Sequence, residues 1–422
     1  MTPKTGMTPE AAWAEAMKFE NRPNPYRFFD ELRKTPVAHV GNGVYVVTGY
    51  QELLALAHDP RISSDTRRLK AQASNNESDS LSAYGEHGNM IQSDPPEHDK
   101  QRRQAMRHFG PPHTPDLIPG LEPVIQKMCD EMLDKARGKK RIDVVDNYAY
   151  LVPVAVICKV LGIPLKDEAQ FHVWIHDFMA GMMDLGPESA TKEGQERLAK
   201  GKASIAELTQ YITGLIQGYL KEPDKSSMLS NMANEGGPDG VMTPREVVTN
   251  ALLLLIAGHD STVNTISHAI LTALRNPGTI ELLRRQPMLI PAAVEEVLRV
   301  ESAVQFFPSR SATDDIEIAG TVIPAGSPVH LMYGAANRDP KKFPDPNKFD
   351  PQRRNNEHFG WGSGIHTCFG GPLARLEVHH AFESFIRRVE NPRLVADPPP
   401  YRRSNVFRGP EHLEIDFDRI ND

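Results

Sequence analysis

The sequence of 422 residues predicts a mainly α fold with a small β region, drawn as one domain over 21–422 behind an N-terminal extension, 1–20. Three observations predict it. Helical periodicity runs with few breaks over 120–137, 142–162, 166–184, 193–221, 244–275, 279–286, 290–300 and 372–388. Strand signals are few and short, at 44–48, 316–319 and 328–332, separated by Gly, Pro and Asp turns. No Gly/Ser linker, low-complexity tract or repeat divides the chain.

Taken in order, the N-terminus has no apolar signal core, and the longest apolar run, 251–258, is far too short for a membrane span. Residues 65–90 are polar, with Ser, Asn and Gly, and read as a loop. Asp94-Pro95-Pro96-Glu97 reads as a helix start, with Asp as N-cap, Pro at the first position and Glu at the third. His98 and Arg102 then share a face at i,i+4. Residues 223–242 contain Gly-Gly-Pro, lack periodicity and look loose.

Near the middle of that helix lies Ala257-Gly258-His259-Asp260-Ser261-Thr262. An apolar helix interrupted by Gly, an acid and hydroxyls can kink, freeing a carbonyl and making room for water. The plainer alternative is a hydroxyl bonding the i−4 carbonyl. In the next helices Glu296 and Arg299 are i,i+3 partners, an ordinary surface pair unless buried. Phe306 and Phe307 follow, then Phe349-Asp350-Pro351-Gln352-Arg353.

Net charge is −7, which speaks against nucleic acid as a partner. The three cysteines (Cys129, Cys158, Cys368) are an odd count without CxxC spacing, so disulfides and zinc are not expected and a reducing cytoplasm is. Cys368 stands apart. Trp361-Gly362-Ser363-Gly364-Ile365-His366-Thr367-Cys368-Phe369-Gly370-Gly371-Pro372 is a Gly-permissive loop running into the helix 372–388. Backbone N–H groups and the positive end of that helix would favour an anionic sulfur. A lone thiolate so held suits one axial bond to haem iron, although a single cysteine beside a Gly-rich turn is more often just a buried thiol.

The segment resembles the cysteine loop of the cytochrome P-450 family, Phe-Gly-x-Gly-x-His-x-Cys-x-Gly, with Trp361 where Phe is usual and Gly362, Gly364, His366, Cys368 and Gly370 in place. The resemblance covers roughly 20–417 and implies the triangular, single-domain fold of that family, with haem b (iron protoporphyrin IX) bound through Cys368. It implies that Asp260 and Ser261 relay protons, Ser261 replacing the usual Thr, with Thr262 as a substitute. Glu296, Arg299 and Arg353 would form a buried ion network behind the haem, and His98, Arg102, Arg310 and His366 would hold its propionates, with Gly362 beside the cofactor.

Candidate pocket residues are Leu253, Ile256 and Ala257, Phe306 and Phe307, the Met-rich stretch Phe178, Met179, Met182 and Met183, and Phe407. No charge lies between Val247 and Gly258, favouring a neutral, mainly apolar substrate. A basic cluster (Lys100, Arg102, Arg103, Arg107, with Arg353, Arg354 and Arg375) would border the face where an acidic ferredoxin docks, electrons coming from it and its reductase. The implied activity is hydroxylation or O-dealkylation with O2 as co-substrate; the other class is a non-oxygenase haem-thiolate protein, a haem or gas sensor or an isomerase.

Overall fold

Capping chemistry sets the start of the molecule's longest element in the computed structural model, which describes residues 6–65, 88–308 and 310–422. The Thr243 side chain accepts from the Glu246 N–H and the Glu246 carboxylate accepts from the Thr243 N–H, with a proline next in line, so the helix Pro244–Arg275 starts where sequence reasoning puts it. Its apolar run Ala251–Ile256 is buried, and burial continues on nearly every side to Ala273 although many residues there are polar, so the helix sits inside the molecule. Helices Leu151–Leu161, Lys192–Lys221, Ile290–Val300 and Gly371–Arg388 pack around it, and Glu168–Met182 lies along Lys192–Lys221.

The β portion consists of strands of two or three residues. Tyr45–Val47 is the middle of a three-stranded sheet, antiparallel to Val37–His39 and parallel to Val329–Leu331. Its inner residues Val37, Val47, Val329 and Leu331 form a second small core with Tyr50, Phe343 and Phe359. In another sheet Glu414–Asp416 lies between Arg393–Leu394 and Arg141–Asp143. Strands this short cannot show the alternation over four to eight residues that marks a strand in sequence.

Several expectations need correction. Residues 142–162 are not one helix: Arg141–Asp143 is a strand, Val145–Ala149 a π-helical turn, and only Leu151–Leu161 is α-helical. The Asp143 carboxylate accepts from the N–H groups of Val145 and Leu413, which ties this segment to the C-terminal sheet. Asp94 is not an N-cap. The helix begins at Glu97, and the Asp94 carboxylate instead accepts from Ser63 Oγ (2.5 Å) and the Ser64 N–H (2.7 Å). The stretch 223–242, read as loose, contains the helix Met228–Asn234, capped by Ser227 and buried through Met228, Leu229 and Met232. The loop assigned to 65–90 lies mostly outside the described residues.

Inside the stretch drawn as an extension, Pro9–Met17 is a helix capped by Thr8. Its Trp13 ring lies 5.8 Å from Phe306 and 5.7 Å from His330. The Asn405 side chain donates to the Met17 carbonyl, and buried Arg408 donates to the carbonyls of Arg22 and Pro23 and to Glu301. Among the described residues no helix is long and apolar enough to cross a membrane.

Candidate functional site

The cysteine loop is closed by one backbone bond, from the Cys368 N–H to the Trp361 carbonyl at 2.8 Å. The turn inside it requires glycine at Gly362 (φ 71°) and Gly364 (φ 70°). A Cβ on Gly364 would also sit 2.2 Å from the Ala57 carbonyl oxygen. The loop then enters the helix Gly371–Arg388, whose first-turn proline is Pro372.

The N–H groups of Gly370 and Gly371 bond the Cys368 sulfur, and Arg102 and Arg375 act on it electrostatically. Burial of the sulfur is nonetheless the largest influence, and the thiol pKa is raised overall. This corrects the expectation that loop and helix end alone would favour the anion; a metal cation would supply the missing charge. Cys368 is exposed as a residue, whereas Cys129 and Cys158 are buried and burial pushes both thiols up to about 12.

Four basic or imidazole side chains converge beside this loop. The His98 and His366 rings meet edge to face at 4.6 Å. Arg102 donates to the Thr367 carbonyl (2.8 Å), and His366 Nε2 bonds Ser64 Oγ (2.7 Å). Burial, then the charges of Arg310, His98 and Arg102, push the His366 imidazole down to about 2. His98 Nε2 is buried with no hydrogen-bond partner among the described residues, an expensive state for a polar nitrogen. Such a group of cations and an unsatisfied nitrogen fits the two carboxylates of a haem edge.

On the central helix every residue from Val247 to Ile256 is buried; then Ala257 is exposed and Gly258 and Ser261 are half-buried. These three share a face at i, i+1 and i+4 and open a patch within a buried helix. The helix is continuous through this motif, and Ser261 Oγ donates to the Ala257 carbonyl at 2.8 Å, the plainer i−4 arrangement. Asp260 is buried; its Oδ1 accepts from Arg402 Nη1 (2.8 Å), while Oδ2 has no partner. Thr262 is buried.

The pocket candidates divide. Phe307 is half-buried, with the Arg310 guanidinium 5.4 Å from its ring centre. Leu253, Met182 and Phe407 keep a few per cent of exposure. Ile256 and Phe306 have none, and Phe306 lies against Trp13 and His330, so these two are core side chains.

Glu296, Arg299 and Arg353 do come together. Glu296 accepts from Arg299 Nε (2.8 Å) and Nη2 (2.7 Å), from Arg353 Nε (2.9 Å) and from the Asp350 N–H (3.1 Å), with Glu296 and Arg299 wholly buried. The basic face is less positive than its arginine count suggests, since Lys100 pairs with Glu246, Arg103 with Asp239, Arg353 with Glu296 and Arg375 with Glu295.

Sequence reasoning missed three residues here: Arg402, Arg408 and Glu295. Glu295 binds Trp361 Nε1 (2.9 Å), His358 Nε2 (3.0 Å) and Arg375 Nε (2.7 Å). Burial raises its pKa, but His358, Arg375 and Trp361 outweigh it and hold the carboxyl at about 2. The one signal available was Trp361 itself, because an indole N–H needs an acceptor where Phe does not.

Comparison with known proteins accounts for this arrangement. The family model described as Cytochrome P450 matches residues 6–417. The 6-deoxyerythronolide B hydroxylase of Saccharopolyspora erythraea is 33% identical over 405 residues, 93% of this chain and 96% of that protein. The vitamin D(3) 25-hydroxylase of Pseudonocardia autotrophica is 31% identical over 407 residues, 93% of each chain. The crystal structure of P450BioI with an acyl carrier protein ligated to hexadec-9Z-enoic acid superposes with a TM-score of 0.83 at 31% identity, covering 95% of this chain and 99% of that one.

Proposed function

The chain belongs to the cytochrome P450 family of haem b-binding monooxygenases, and from that premise we propose that Cys368 would hold the haem iron and that a small, mainly apolar, neutral substrate is hydroxylated or O-dealkylated. When bound, the haem supplies O2 activation and the transfer of one oxygen atom. The protein's part is to hold, orient and deliver protons.

The Cys368 loop presents its sulfur between the N–H groups of Gly370 and Gly371. His98, Arg102, Arg310 and His366 would hold the propionates, with Gly362 shaping the turn of the cysteine loop. Ala257, Gly258 and Ser261 leave room at the middle of the central helix. Ser261 offers a hydroxyl there, Asp260 next to it has one oxygen unpartnered, and together they pass protons, with Thr262 behind them. Arg402 holds the other Asp260 oxygen, so it orients the acid.

The uncharged run from Val247 to Gly258 supports an apolar substrate, as do the names of the two hydroxylase relatives. Leu253, Phe307 and Phe407 would touch it. Electrons come from an acidic ferredoxin, reduced by its reductase, meeting the face that carries Arg102, Arg107 and Arg354. The unit drawn over 21–422 is then the whole catalytic body, with Pro9–Met17 packed on it. Three free thiols suit a reducing cytoplasm.

The observation that carries the reading is Cys368, held in a closed Gly-rich loop beside a cluster of four basic and imidazole groups, one of them with a buried nitrogen that has no partner among the described residues. The test is the reduced, carbon monoxide-treated spectrum of the wild type and of Cys368→Ala. The wild type should show the red-shifted band of sulfur-ligated haem and the variant should lose it. An unchanged variant spectrum would refute the assignment. Substrate-dependent NADH oxidation with ferredoxin and reductase, yielding an oxygenated product, then tests turnover.

A further inference from the structure

We infer that Glu295 is a positioning residue for the Cys368 loop, setting the electron donation of the sulfur through Trp361 and Arg375; the inference rests on Cys368 being the iron ligand. Glu295 precedes Glu296 on the helix Ile290–Val300, and successive residues on a helix point about 100° apart. Glu296 therefore turns inward to Arg299 while Glu295 turns to the loop.

There its carboxylate takes three donors from three positions: Trp361 at the start of the loop, His358 just before it and Arg375 in the helix after it. The Arg375 guanidinium also lies 4.5 Å from the Trp361 ring centre. The indole is thus held at its edge by an anion and on its face by a cation. Phe at this position would fill the space but could not be gripped at the edge.

Two of the three groups that Glu295 holds, Trp361 and Arg375, reach the sulfur. The Trp361 carbonyl accepts the Cys368 N–H, so a shift of Trp361 moves the ligand's own backbone. Trp361 Cε3 and Cys368 Cβ also lie against the same point, since a Cβ on Gly371 would be 3.6 Å from one and 3.8 Å from the other. Arg375, for its part, is one of two cations acting on the sulfur. Paired with Glu295, its charge is largely compensated; unpaired, it would draw electron density from the sulfur and make the iron easier to reduce.

The experiment is potentiometric titration of the haem-loaded protein, with the carbon monoxide band recorded alongside, for the wild type, Glu295→Gln, Arg375→Gln and the double variant. Glu295→Gln should move the reduction potential in the positive direction. Arg375→Gln should move it in the negative direction, and the double variant should fall between them. Opposite signs separate a charge-and-position role from a merely structural one, which would lower haem retention in both without ordering the potentials. Trp361→Phe, which keeps the ring, should shift the carbon monoxide band while haem content stays full. The inference is overturned if Glu295→Gln and Trp361→Phe retain haem and match the wild type in potential and band. A wild type without the sulfur-ligated band overturns the Cys368 assignment, and this inference with it.

Discussion

Replacing Glu296 by Gln removes a charge and little else, and the structure sets what that costs. The carboxylate and the Arg299 guanidinium are both at 0% exposure, joined by two bonds, and Arg353 adds a third at 10% exposure. Water cannot compensate a guanidinium left in that position. Breaking a buried pair by removing one partner costs about 3–5 kcal/mol. Arg299 keeps bonds to the carbonyls of Asn337, Pro346 and Lys348, and Gln keeps one acceptor oxygen, so the lower end applies. A loss of about 3 kcal/mol lowers the folding equilibrium constant roughly a hundredfold. Denaturant unfolding followed by circular dichroism should show a lower midpoint at unchanged slope. Asp416→Asn is the control, because its pair with Arg141 is about half exposed on both sides and should give no measurable shift. A Glu296→Gln midpoint equal to the wild type, or to that control, would refute the reasoning.

Two further outcomes follow from the same geometry. Gly364→Ala puts a methyl group 2.2 Å from the Ala57 carbonyl oxygen and a side chain at φ 70°; the backbone conformation alone costs about 1–2 kcal/mol. Haem content and thermal midpoint should both fall, whereas Gly120→Ala, whose Cβ meets nothing within 4 Å, should be neutral or stabilising. The second concerns acid. Burial pushes the imidazoles of His259 and His268 from 6.5 down to about 4. The unfolded chain therefore takes up protons on cooling of pH through 6.5 that the folded chain refuses until about 4. Stability is whole above that window and declines as pH falls through it, by up to about 3 kcal/mol per histidine. The denaturation midpoint measured from neutral pH to pH 4 should show this slope, and His268→Gln should flatten it; an identical slope in the variant would count against the assignment.

What could be read in advance was local or repetitive. The central helix carries its own capping box and an apolar run, so both its start and its burial are written in adjacent residues. The cysteine loop is likewise contiguous, and Glu296, Arg299 and Arg353 were recognisable through the family pattern. The partners that could not be read are separated by long stretches of chain: Trp361 and Glu295 by 66 residues, Arg402 and Asp260 by 142. No periodicity links such pairs, and a charged residue at the surface looks the same in sequence as one that closes on a distant acid. Asp94 failed for a related reason. Its local pattern suits a cap, but Ser63 and Ser64 compete for the carboxylate from another loop and win it. The two- and three-residue strands are defined by their neighbours in the sheet, and short β propensity bends to such context.

The stitching of Arg408 to Arg22, Pro23 and Glu301, and of Glu414–Asp416 to Arg141–Asp143, bears on how the molecule is made. Synthesis proceeds from the N-terminus, so the earlier segments wait for counterparts made much later. Glu301 has no Arg408 until 107 further residues have been made, and the edge of Arg141–Asp143 waits longer still for Glu414–Asp416. Closure of the body is then a late, long-range event of the slow kind. Chains stopped before that point would expose an unpaired strand edge and leave Glu301 with Arg338 as its arginine partner in place of two.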